Sequence, residues 1–146
     1  MRAVLCGVSL ALCAACGNVS EPPFKPAATV DQLMIGPVQR SAQFYWDSVS
    51  TIIDSNGITE RSPKTDQEWA AVWSSAITIA ESGNLLMMPS RAKDQNEWMT
   101  LSAALVDAGM EAAKAAESRN PEAVLGAGET VYNVCTQCHN RYISQD

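Results

Sequence analysis

Residues 120–142 read NPEAVLGAGETVYNVCTQCHNRY, with a helix start at one end and a cluster of reactive side chains at the other. Asn120 is a strong helix-capping type. Pro121 follows at the first helical position, where its missing N–H costs nothing and its fixed φ suits the helix. Beyond it Val124, Gly128, Val131, Tyr132, Cys135, Cys138, His139 and Tyr142 recur at three- and four-residue spacing, which sets them along one face of a helix.

Upstream, the same periodicity predicts three more helices. The first runs from about residue 29 to 54 and stops at Asn56-Gly57, with Val30, Leu33, Met34, Val38, Val49, Ile52 and Ile53 as apolar positions among Phe44, Tyr45 and Trp46. Gly36-Pro37 interrupts it and predicts a kink just past Met34, because proline removes the amide hydrogen bond to residue 33. The second opens on a capping box of Thr65 and Glu68, then repeats Trp69, Val72, Trp73, Ala76, Ile77, Ala80, Gly83 and Met87 up to Pro89. Asp94 and Glu97 predict the same device for the third, which carries Trp98, Leu101, Leu105, Ala108, Ala112 and Ala115. No period-two alternation is long enough to predict a strand. The expected fold is all-α, an antiparallel up-down-up-down four-helix bundle.

Cys135-Thr136-Gln137-Cys138-His139 is the chemically specific element. Two thiols three positions apart can add to both vinyl groups of a haem, and the adjacent imidazole can bind its iron. One covalent haem c near the C-terminus is therefore the expected cofactor. A zinc ribbon would need a second such pair, and Cys13-x-x-Cys16 lies in the leader before Gly17. A thioredoxin-type dithiol would follow a strand, and two cysteines in one helical turn are poorly placed for a structural disulfide.

Seven residues follow His139, so the remaining pocket walls must come from upstream. In an alternating bundle the end of the fourth helix lies beside the start of the first and third. At about 1.5 Å rise per residue, Met34 falls near the height of His139. Met34 is thus the candidate sixth ligand, its thioether being soft and tending to raise the reduction potential. Core filling is the ordinary role of such a methionine. Met99, Met87 and Met88 are geometric competitors, and a rarer ligand such as Lys or an open position remain alternatives. With one histidine in the chain, bis-histidine ligation is impossible.

Cys-x-x-Cys-His-x-x-Tyr on the last of four helices, Cys135 to Tyr142, resembles the class II c-type cytochromes, the cytochrome c′ and cytochrome c-556 family. The likeness covers about residues 29–143. It implies a four-helix haem domain over 29–146, thioethers at Cys135 and Cys138, and His139 as proximal ligand. Six-coordinate relatives use a first-helix methionine, best matched by Met34, and transfer electrons to redox partner proteins. Five-coordinate relatives bind NO or CO. The family also implies a basic residue near the haem propionates, here Arg141, and a homodimer built on outward faces of the first two helices. Tyr132, one turn before Cys135, is expected against the macrocycle edge.

The N-terminus predicts where this chemistry operates. Residues 1–15 combine Arg2, an apolar run from Ala3 to Ala15 and small residues before Cys16-Gly17, which reads as an export signal too short to span a bilayer. Lipoprotein-type cleavage would make Cys16 the lipidated first residue and a membrane anchor; ordinary signal cleavage is the alternative, and both predict a periplasmic product. Pro22, Pro23 and Pro26 mark residues 16–28 as an extended tether. With 10 Lys and Arg against 16 Asp and Glu, the net charge of −6 disfavours nucleic acid as a partner. It suits a partner with a basic face, or merely solubility. Trp46, Trp69, Trp73 and Trp98 are expected to pack the core or cover the haem. The acid pairs Asp66/Glu68 and Asp94/Glu97 read as caps and first-turn charges, and no nucleophile, base and acid constellation predicts an enzyme.

Overall fold

The computed structural model describes residues 24–143. The expected export signal, Cys16 and the first part of the tether lie outside the described residues. Those described are mostly helical: α1 (Val30–Leu33), a wider π turn (Met34–Val38), α2 (Gln39–Asp47), α3 (Asp66–Leu86), α4 (Glu97–Ser118) and α5 (Pro121–Tyr142). Between α2 and α3 stand two antiparallel strands, β1 (Ser50–Asp54) and β2 (Gly57–Arg61). No helix among the described residues is long and apolar enough to cross a membrane.

Local signals set most helix ends. Thr65 and Glu68 form the reciprocal capping box, and the Asn120 side chain accepts from the Glu122 and Ala123 amides with Pro121 at the first position. The kink falls where Gly36-Pro37 predicts it. Gly36 leaves helical geometry at φ −96°, ψ −107°, and the Gln39 amide donates to both Gly36 and Met34 carbonyls across the wide turn.

Two expectations are corrected. The first helix does not continue to residue 54. It ends at Asp47, and Val49 leads into a hairpin whose register pairs Ile52 with Thr59 and Ile53 with Ile58. Val49, Thr51, Ile52, Ile53, Ile58 and Thr59 are β-branched, and Asp54 closes the turn by accepting from the Asn56 amide. The fold is therefore helical with a small sheet rather than purely α. The second correction concerns Asp94 and Glu97, which do not form a capping box. Asp94 accepts from the Asn96 and Trp98 amides, whereas the Glu97 carboxylate turns to Arg141.

α3 and α4 pack antiparallel and close, with Ala80 against Gly109 and Gly83 against Ser102 and Val106. Small residues permit this approach: a Cβ on Gly109 would stand 2.5 Å from the Ala80 nitrogen. α5 runs antiparallel to α4, so its last turn meets the start of α4 through Trp98 and Tyr142, whose rings lie edge to face at 5.0 Å. Tyr45 of α2 is buried in the core and donates its hydroxyl to the Ala112 carbonyl at 3.1 Å. Trp69 and Trp98 are core residues as expected. Trp73 is not; it is partly exposed and donates to Glu117.

Arg91, in the turn after α3, is buried and pairs with no carboxylate among the described residues. Its guanidinium donates twice to the Ala28 carbonyl and once to that of Leu85, so the chain entering α1 is held against the α3 terminus. These charge-assisted bonds satisfy the buried cation and fix the approach to Met34.

Candidate functional site

An apolar-walled cavity of about 340 Å³ opens between the kinked N-terminal helix, α4 and the last turns of α5. Met34, Val38, Ala42 and Trp46 line one side at four-residue spacing. Leu101 and Leu105 of α4 line a second, and Tyr132, Cys135, Cys138 and His139 of α5 a third. Met34 borders the same cavity as Val38, Ala42 and Trp46 although Gly36, between them, leaves helical geometry; the Gln39 amide bond to the Met34 carbonyl spans the kink.

Five of the six residues singled out around the expected cofactor thus border one space: Met34, Tyr132, Cys135, Cys138 and His139. Arg141 does not. It is exposed, with Nε 2.6 Å from Glu97 Oε2, an ion pair that surrounding water screens. The competing methionines are also separated: Met87, Met88 and Met99 are absent from the cavity wall, and the Met88 sulfur instead accepts from Arg91.

Cys135 and Cys138 are free thiols, each half-buried. Burial, and after it the neighbouring Cys138, pushes the Cys135 thiol up from its ordinary range; burial and then Glu97 do the same for Cys138. Both are consequently protonated at neutral pH. They sit late in α5, away from the helix N-terminus that would favour a thiolate, so the pair lacks the electrostatics of a dithiol oxidoreductase. Among the described residues no three His, Cys, Asp or Glu side chains converge to hold a metal ion.

A second polar contact joins the start of α4 to the end of α5, where Tyr142 donates its hydroxyl to Asp94. Burial and this bond raise the Tyr142 phenol to about 12, while the same bond and the Asn96 amide hold Asp94 below its ordinary value. The signs differ in consequence. The raised tyrosine contributes stability that is complete below about pH 10 and lost as pH rises towards 12. The depressed aspartate contributes stability present above its unfolded value near 4 and lost as pH falls through its lower folded value. Tyr142→Phe is expected to flatten the alkaline limb of a thermal-stability profile and return the Asp94 carboxyl towards its ordinary value. Melting curves against pH, with carboxyl titration by NMR, check both.

Trp46, expected either to pack the core or to cover the cofactor, lines the cavity wall. Its indole Nε1 donates to the Gly128 carbonyl at 3.0 Å, and its ring meets Tyr132 edge to face at 6.1 Å. The two rings divide the main cavity from a shallower one of about 320 Å³ bordered by Leu125 and Glu129. The period-four series 34, 38, 42, 46 was the available signal in the sequence.

The arrangement fits a haem by its donor chemistry: two unpaired thiols, an imidazole and a thioether around one apolar space within the usual range for cofactor sites, about 300–1,000 Å³. The sequence matches no protein-family model, and neither curated proteins nor solved structures provide a match.

Proposed function

We propose that this chain is an exported c-type cytochrome of the cytochrome c′ and c-556 type, an antiparallel four-helix bundle carrying one covalent haem c and transferring single electrons in the periplasm. The observation that carries this reading is the convergence of Met34 with Cys135, Cys138 and His139 on one cavity. When bound, haem c supplies a one-electron ferric/ferrous couple. Cys135 and Cys138 would hold it through thioethers, and the His139 imidazole would be the proximal ligand. Met34, held by the wide turn and half-buried against the core, would offer its thioether from the facing wall. A soft ligand in a site lined by Val38, Ala42, Leu101 and Leu105 favours the reduced, less charged state and raises the potential. His139 would be carried by α5 and Met34 by the turn packed against the core, so little would have to move when the charge changes. The acidic surface suits a redox partner with a basic face. Export and a lipid anchor at Cys16 complete the proposal, and it assigns no enzymatic activity.

The test is the oxidised and reduced absorption spectrum of protein made with a c-type maturation system, with and without carbon monoxide, for wild type and Met34→Ala. The expected wild-type spectrum is low-spin, has a methionine-to-iron charge-transfer band and ignores carbon monoxide. Met34→Ala loses that band and becomes carbon monoxide-sensitive. A high-spin wild type that binds carbon monoxide as readily as the variant would instead assign the chain to the five-coordinate binders of NO or CO.

A further inference from the structure

The β1–β2 hairpin has no role in the cavity, and its apolar side chains face water. Ile53 and Ile58, paired across the strands, are 76% and 70% exposed, and Ile52 is 50% exposed. Alternation places Ile53 and Ile58 on one face with Thr51 and Glu60, and Ile52 with Thr59 on the other. A lone two-stranded hairpin is marginal in water, and stability ordinarily requires further strands or a covering helix.

Among the described residues the outer edges of both strands are unpaired, and the two are unlike. That of β2 carries Glu60 and Arg61, charges of the kind that block edge pairing. The β1 edge, Ser-Thr-Ile-Ile-Asp, has no lysine, arginine or proline, and its one charge is at the end. We infer that β1 pairs antiparallel with β1 of a second copy of this chain, forming a four-stranded sheet about a two-fold axis at Ile52.

The strand is self-complementary in that register. Ile52 meets its own copy, Thr51 meets Ile53 of the second copy, and Ser50 meets Asp54 of the second copy. A hydroxyl donor thus faces the carboxylate, and no charge faces a like charge. On one face Ile53 and Ile58 join their copies in a continuous apolar surface. A lipid surface is the poorer occupant. The hairpin tip is polar at Ser55-Asn56, and Asp54 and Glu60 would be repelled by anionic lipid.

Sedimentation velocity of the purified chain over a micromolar concentration series tests the pairing, whether or not the haem reading holds. Wild type is expected to dimerise. Ile52→Lys, which sets two cations face to face, should weaken the dimer at least ten-fold with unchanged helical circular dichroism, because the hairpin contributes nothing to the helical core. Thr51→Lys and Ile53→Glu should each weaken it, and the double variant should recover, since it opposes the new cation to the new anion at both pairs. A wild type that stays monomeric overturns the inference, whether or not it co-sediments with phosphatidylglycerol vesicles. So does a dimer indifferent to Ile52→Lys, or a double variant no tighter than the single ones.

Discussion

Replacing Cys135 and Cys138 together with Ala is expected to leave a folded chain that retains no haem on denaturing electrophoresis, whereas wild type made with the same maturation system keeps it. The two thiols are the attachment points in the proposed reading, and no other pair among the described residues stands in for them. Each single variant keeps one thioether and should retain haem with a shifted reduced-state absorption maximum. The apoprotein should survive the change, because both side chains are half-buried at a cavity wall and only Cys135 packs against the edge of the core. Losing a tightly bound group does, however, remove the stabilisation that its binding adds to the native state. The double variant should therefore melt below the holoprotein and close to the wild-type apoprotein. Haem retained by the double variant would defeat the thioether assignment. A wild type that never acquires haem would defeat the cytochrome reading itself.

The second large effect is structural. Gly109→Ala is expected to destabilise the chain by about 1–3 kcal/mol, although alanine is the better helix former by about 1 kcal/mol. The added Cβ would stand 2.5 Å from the nitrogen and 2.7 Å from the Cα of Ala80, both backbone atoms that a rotamer change cannot move. Only parting of α3 from α4 relieves the clash, and parting sacrifices contacts along the whole seam. Gly126→Ala is the control, for a Cβ there meets nothing within 4 Å. On that open face of α5 the propensity gain stands alone, so Gly126→Ala should stabilise by up to about 1 kcal/mol. Urea denaturation of the two variants measures both signs. Equal effects would mean that the helix seam tolerates separation.

Electrostatics at the α4–α5 end are secondary to these effects. Arg141 and Glu97 are too exposed to hold α4 and α5 together. The apolar contact of Trp98 with Tyr142 lies beside them and gives the α4–α5 end its packing.

The residues legible beforehand were those whose effect is confined to a turn or two. Capping at Thr65 and Asn120, the proline at the start of α5, the break at Gly36-Pro37 and the shared face of Cys135, Cys138 and His139 all follow from short-range sterics and hydrogen bonds. The hairpin was misread because Val49, Ile52 and Ile53 satisfy helical spacing. The density of β-branched residues and the Asp-Ser-Asn-Gly turn were the better guides. Asp94 and Glu97 show the opposite limit: their spacing matches a capping box, yet Tyr142 and Arg141 arrive from α5 and redirect both carboxylates. The sequence by itself determined where most helices begin and which groups share the last turns of α5. Only the tertiary structure decided that Met34 alone of the competing methionines borders the cavity, that Trp46 closes it, and that the hairpin stands clear of the core. These depend on the rotation and separation of helices distant in the chain, which are set by the close seam at Gly83 and Gly109 and by the wide turn after Leu33.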